Sequence, residues 1–223
     1  RWGARFKVTY AHDFREAARG AAFIFSAIRV GQEEGRIRDE EIALKHGVLG
    51  QETTGPGGFA MALRTIPVML DYARVIREVA PQAWLINFTN PSGLITQALT
   101  TYSPVRAIGI CDAATAMKRS VAAFLGVPAD QVYLEYFGLN HLGWIRRVLV
   151  DGEDRMPHIL AHYEELAARY PEWGLFEPDL VRMYGLLPNE YLYYFYYREK
   201  AVANILASGG TRGPQVLSIN RPL

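Results

Sequence analysis

The chain holds a single cysteine, Cys111, at the point where the apolar run "VRAIGIC" gives way to Asp112. A lone cysteine is ordinarily a small buried hydrophobe. Its place at the end of an apolar run, next to a carboxylate, opens a second reading. A thiolate needs a cation or a metal to hold its charge, and the other donor on offer is His141 in "FGLNHLGW". One sulfur and one imidazole leave the remaining positions of a metal to water or substrate, an arrangement that suits catalysis better than structure. His141 lies among apolar residues, and a lone histidine in such a setting is more often a satisfied core group than a ligand. His158 and His162 in "HILAH" have the i,i+4 spacing of helical ligands but lack the glutamate of the zinc-protease motif, so they read as surface.

Two further stretches carry groups that could act. "PNEYLYYFYYREK" places Tyr191 and Tyr194 three apart, so that one phenol could enter a cleft while the other packs with the remaining aromatic stripe. A tyrosinate is a competent base only where nearby positive charge lowers its pKa from about 10. "GQETTGPGG", residues 50–58, reads as a loop before a long helix, capped by Thr53 or Thr54. Its free backbone N–H groups would also suit an anion. It is not the dinucleotide fingerprint, since GxGxxG is absent there and throughout the sequence.

The elements that must hold these groups follow from periodicity. The expected strands are "RFKVTYA", the buried run "AFIFSAIRVG" stopped by Gly31, "AWLINFT" and "VRAIGIC". Between them lie helices "DFREAARGA", "PGGFAMALRTIPVMLDYARVIREVAP" and "LITQALTTY". Alternation of this kind predicts βα units and a mainly parallel, Rossmann-like sheet whose strand ends line one cleft: Arg29 to Gly31, Asn87 to Pro91, and Cys111-Asp112. After Ala114 the texture changes. "ATAMKRSVAAFLG" is helical, "QVYLEYFGLNHLGWIRRVLVDG" alternates like antiparallel strands with Asp151-Gly152 as a turn, and helices "HILAHYEELAARY" and "YLYYFYYREKAVANILAS" follow. The predicted class is therefore α/β, with a Rossmann-like domain over 1–114 and an α+β domain over 115–223.

Composition narrows the function. Half the residues are hydrophobic, and 24 Lys+Arg against 23 Asp+Glu leave no basic block for nucleic acid. One cysteine rules out an internal disulfide framework, and neither a secretory leader nor a membrane-length apolar run is present, so the expectation is a cytoplasmic protein off the membrane. The apolar helices make self-association into a homo-oligomer an expectation as well.

Six stretches in order resemble glycoside hydrolase family 4, the NAD- and divalent-metal-dependent glycosidases. They are "IRVGQEEGRIRDEEIALKHGVLGQETTGPGGFAMALRTIP", "WLINFTNPSG", "GICD", "GLNHLGW", "PNEYLYYFYY" and "SGGTRG", spanning residues 28–213. The resemblance implies a lactate/malate-dehydrogenase-like fold, NAD as cofactor, and a metal, usually manganese, held by Cys111 and His141. It implies that Tyr191 is the base, Asp112 a proton donor, Asn90 a sugar contact, and Arg36 and Arg212 substrate-binding groups. The implied reaction is NAD-assisted oxidation at C3 of the sugar, elimination, addition of water and reduction, unlike the two-carboxylate scheme of most glycosidases.

The resemblance implies 6-phospho-glucosides of either anomer, galactosides or glucuronides as substrates, and two guanidinium groups suited to a phosphate favour the 6-phospho-glucosides among them. Aspartate after the cysteine looks like the α-glucosidase pattern, whereas "GLNHLGWIRRVLVDG" and "TRG" look closer to the phospho-β-glucosidases, and the β anomer is favoured. The family's glycine-rich NAD motif does not precede Arg1 and its C-terminal part does not follow "SINRPL", which reads as a fragment. Two alternatives stay open: an NAD-dependent 2-hydroxyacid-type dehydrogenase, in which Cys111 would be idle, and a catalytically inactive sugar- or nucleotide-binding module.

Overall fold

The structure is a computed structural model that describes residues 7–220. Its first half is built on three parallel strands, β1 (Phe23–Ser26), β2 (Trp84–Asn87) and β3 (Arg106–Gly109), hydrogen-bonded in that order with Phe23 opposite Trp84 and Trp84 opposite Arg106. A short helix α1 (Phe14–Ala18), capped by the Asp13 carboxylate on the Glu16 amide, precedes β1. From β1 the chain passes through α2 (Gln32–Lys45) and the 25-residue α3 (Gly55–Val79) to β2, and from β2 through α4 (Ser92–Tyr102) to β3.

Both crossovers step the same way along the sheet, and the right-handed rule puts α3 and α4 on one face. There Met69, Ala73 and Ile76 of α3 meet Leu85, Ile95 and Leu99 in one core. The alternation of the strands is explained by this one-sided cover. Ile24, Leu85 and Ala107 turn to the helices, while Phe23 and Phe25 on the other face are 69% and 59% exposed.

Two expectations are corrected here. "AFIFSAIRVG" is not a buried strand running to Gly31. Pairing ends at Ser26, because the Ile28 amide turns away to donate to Thr89 Oγ1 at 3.1 Å. Residues 7–11 of the expected "RFKVTYA" strand lie in no regular element, and its first two residues fall outside the described part of the chain.

The second half begins with α5 (Ala113–Leu125), ended by Gly126 in the left-handed region. Strands β4 (Val132–Leu139) and β5 (Leu142–Val150) form a long antiparallel hairpin, and Asp151-Gly152, both with positive φ, turn the chain into the short β6 (Glu153–Asp154). Helices α6 (Met156–Ala161), α7 (Tyr163–Arg169) and α8 (Pro178–Tyr184) follow, the first two being one expected helix interrupted at His162. β7 (Leu187–Pro188) pairs with the tip half of β5, then α9 (Tyr193–Tyr196), α10 (Arg198–Ala207) and α11 (Arg212–Asn220) close the chain. α11 returns to pack on α2.

A second core, around Ile145, Val148, Ile159, Leu166 and Trp173, holds this half together. At its centre the buried Tyr163 hydroxyl donates to the Trp173 carbonyl at 2.6 Å. Tyr163→Phe leaves that carbonyl with only the long 3.4 Å bond from the Phe176 amide and is expected to lower stability by about 0.5–1.5 kcal/mol, read from the midpoint of a urea transition.

Candidate active site

The carboxyl ends of the three parallel strands are tied together by short polar side chains. The Ser26 and Thr89 hydroxyls are 2.8 Å apart, Asn87 Nδ2 donates to Thr96 Oγ1 at 3.2 Å, and Ser92 Oγ donates to the Ile110 carbonyl at 3.3 Å. This web fixes where each loop leaves the sheet, and so where Asn90 and Cys111 stand. Asn90 is half-buried at the turn into α4, joined to Pro91 by a cis peptide bond.

Cys111 follows β3 after the single residue Ile110, and Asp112 is the exposed N-cap residue of α5. His141 comes from elsewhere. It occupies the two-residue connection between β4 and β5, in the left-handed region at φ 61°, a conformation that few non-glycine residues adopt. Gly138 and Gly143 pair just behind it, and a methyl on Gly143 would come within 2.3 Å of the Tyr136 hydroxyl, so the ribbon narrows there as only glycine allows.

The hairpin tip brings the imidazole over the end of β3. Cys111 Sγ and His141 Nε2 are 3.2 Å apart, in a half-buried setting. Burial pushes the Cys111 thiol up, with the Ala113 amide opposing it. Burial also pushes His141 down, against the fields of Asp112 and Glu52, and so favours the neutral ring that a metal ligand requires.

Two such donors on one divalent ion, with bonds near 2.0–2.3 Å, stand about 3–3.6 Å apart, so the pair fits a shared ion. Among the described residues no three His, Cys, Asp or Glu side chains cluster to complete the coordination. The open positions would go to oxygen donors brought by a substrate.

Tyr191 lies flat on His141, with ring centroids 3.7 Å apart and planes 3° from parallel. Burial, and then the neighbouring Glu190, raise its phenol well above the usual range. Burial likewise raises Glu190, helped by Glu172 and Asp112. Tyr194, the other candidate phenol, packs edge-on against Tyr191 at 5.9 Å.

Asn189, unnoticed in the sequence, sets this arrangement. Its Oδ1 accepts from the Tyr191 amide at 3.0 Å, its Nδ2 reaches the Tyr136 hydroxyl at 3.3 Å, and its own amide donates to the Gly143 carbonyl at 2.9 Å. An asparagine just before a helical turn is a capping signal, and "PNEY" carried it.

A cavity of ≈ 230 Å³ opens beside His141, lined by Thr53, Pro91, Ser92, Gln97 and Asn140 among others. A larger open hollow of ≈ 610 Å³ runs along Tyr194–Lys200 and touches none of the strand-end groups. The "GQETTG" loop forms one wall of the smaller cavity. Its cap is not the threonine side chain that the sequence suggests: Gln51 Oε1 accepts from the Thr53 and Thr54 amides and hydroxyls alike.

The two predicted arginines stand differently. Arg36 is buried on α2, with Nε on Glu40 Oε1 at 2.8 Å and Nη1 on Glu52 Oε2 at 3.0 Å. Glu52 also pairs with Arg29. Arg212 is exposed at the first position of α11, and its Nη1 donates to Gln215 at 2.7 Å.

Two family models match the sequence: "Family 4 glycosyl hydrolase" over residues 1–127 and "Family 4 glycosyl hydrolase C-terminal domain" over 136–221. A probable 6-phospho-beta-glucosidase of Bacillus subtilis is 37% identical over 219 residues, covering 95% of this chain and 50% of its own length. The 6-phospho-beta glucosidase of Thermotoga maritima, solved with manganese, NAD+ and glucose-6-phosphate, superposes with a TM-score of 0.88 at 34% identity, over 98% of this chain and 54% of that one. At the level of fold alone, lactate dehydrogenase of Eimeria maxima aligns at TM-score 0.51 with 16% identity. The chain spans about half the length of the curated relatives it matches.

Proposed function

The chain belongs to the family 4 glycosyl hydrolases, and from that premise we propose that it carries the metal- and base-bearing half of a 6-phospho-glucosidase, with the β anomer favoured. The observation that carries the reading is the convergence of Cys111 Sγ and His141 Nε2 at 3.2 Å beneath the stacked ring of Tyr191. When bound, NAD would supply the hydride acceptor for the sugar's C3, and the divalent ion would draw charge from the substrate oxygens.

The protein's own groups do the rest. Cys111 and His141 would hold the ion, carried by the hairpin tip and the strand end. Tyr191 accepts the proton from C2, and its stacking on His141 puts the phenol where positive charge can bring its raised pKa down. Asp112, exposed next to Cys111, would give a proton to the leaving oxygen. Asn90 contacts the sugar from the α4 turn, and Arg212 offers its guanidinium to the 6-phosphate. Arg36, enclosed by Glu40 and Glu52, contributes through the loop that carries Glu52 rather than with a free charge. Among the described residues no helix is long and apolar enough to cross a membrane, and the reading includes a cytoplasmic, self-associating protein.

The test is turnover of α- and β-nitrophenyl 6-phospho-glucosides by the complete protein, with NAD and manganese each added and withheld. The expected result is β-selective release of nitrophenol that needs both and builds up no NADH. Steady NADH formation from a 2-hydroxy acid would favour the dehydrogenase reading, and sugar binding without turnover would favour the inactive module.

A further inference from the structure

Glu40 is the most enclosed charged residue of α2, 1% exposed, and both its oxygens are used. Oε1 accepts from Arg36 Nε at 2.8 Å, and Oε2 accepts at 2.8 Å from the backbone amide of Gly213. Gly213 lies in the first turn of α11, where amides have no partner within the helix and a negative charge is favoured. Glu40 therefore already fills the anion seat at the head of α11, and a phosphate must be met by the Arg212 side chain next to it.

The backbone is pressed together at the same spot. A methyl on Gly213 would come within 2.8 Å of Ile37 Cγ1 and 3.0 Å of Glu40 Oε2. A methyl on Gly50 would come within 2.3 Å of the Glu40 carbonyl oxygen and 3.2 Å of Thr211 Cγ2. α2, the "GQETTG" loop and the head of α11 thus meet around one residue, the loop at the Glu40 backbone and α11 at its carboxylate. From Arg36 the chain of charges continues to Glu52, which precedes the cavity-lining Thr53. A buried ion pair adds little net stability relative to apolar packing. The directional bond to the Gly213 amide on a separate element, with Arg36 carrying the link on to Glu52, does fix position.

We propose that Glu40 is a positioning residue: by gripping the Gly213 amide and Arg36 together it sets where Arg212 stands relative to the loop of Glu52 and Thr53. The proposal rests on the reading of Arg212 as the phosphate contact. It predicts that Glu40 governs preference for a phosphorylated sugar without touching the sugar.

The experiment measures binding of glucose 6-phosphate and of glucose by calorimetry on the full chain, together with the Gly213 amide proton shift. Glu40→Gln is expected to weaken glucose 6-phosphate about tenfold, to leave glucose within about twofold, and to move the Gly213 resonance upfield as the charged acceptor is lost. Gly213→Ala, which displaces α11 from Glu40 and leaves every charge in place, should reproduce the loss of preference. Equal weakening of both sugars in both variants would mark a general structural role and overturn the proposal. Arg212→Ala is run alongside. If it abolishes the preference while Glu40→Gln and Gly213→Ala preserve it, the positioning role alone is wrong. If Arg212→Ala keeps the preference, the phosphate reading is wrong and the proposal falls with it.

Discussion

Cys111→Ser is expected to weaken divalent-metal binding by at least about a hundredfold. Loss of an outer-shell partner already costs 10–100-fold at many metal sites, and among the described residues the proposed site offers the ion a sulfur and an imidazole with no third His, Cys, Asp or Glu beside them. A serine hydroxyl is close in shape but is not an anion near neutral pH, so the substitution removes the charge and the soft donor while keeping the strand end intact. Metal content after dialysis, or the free manganese signal in a spin-resonance titration, reads the effect without any turnover. His141→Ala should give the same loss. A Cys111→Ser protein that retains metal as the parent does would move the site elsewhere and take the mechanism with it.

Tyr191→Phe should slow exchange of the substrate's C2 hydrogen with solvent by about 10²–10⁴-fold, the range that a positioned acid or base contributes. The substitution is well suited to the question. Phenylalanine can keep the ring stacked 3.7 Å from His141, and Asn189 holds the backbone through the Tyr191 amide, so only the hydroxyl is lost. Substrate binding should change little while exchange falls. Mass spectrometry of sugar recovered from deuterium oxide gives the rate. Tyr194→Phe, altered on the ring that packs edge-on against Tyr191, should leave exchange near its parental rate. Undiminished exchange in Tyr191→Phe would strike that phenol from the chemistry.

Why Cys111 could be singled out from the sequence is clear in the fold: an apolar run that stops at a polar residue is the end of a parallel strand, and strand ends point into the crevice. The α/β class was legible for the same reason, since parallel strands and their helices leave strong apolar periods. Other features leave no such trace. α2 went unread as a helix because "QEEGRIRDEEIALK" buries Arg36 and Glu40 where an apolar stripe would normally lie, so periodicity had nothing to detect. Arg36 looked available for phosphate, but Glu40 meets it one turn along α2 and Glu52, from the following loop, is brought to it only by folding. The strand expected to be buried has exposed phenylalanines because its helices lie on one side only, and a run of apolar letters does not say how many faces are covered. Asn189 acts through its backbone and both side-chain ends, a role that depends on the pairing of β5 and β7.

The shortness of the β4–β5 connection has a bearing on how this lineage can vary. With Leu139 paired to Leu142, only two residues turn the ribbon, and one of them is His141. An inserted residue at that tip could be taken up in the turn with the ladder unchanged and little thermodynamic cost, yet it would carry the imidazole off the sulfur. Length polymorphism should therefore be purged from this bend even in variants that fold well, while the neighbouring Asp151-Gly152 bend, which carries no donor, is free to lengthen.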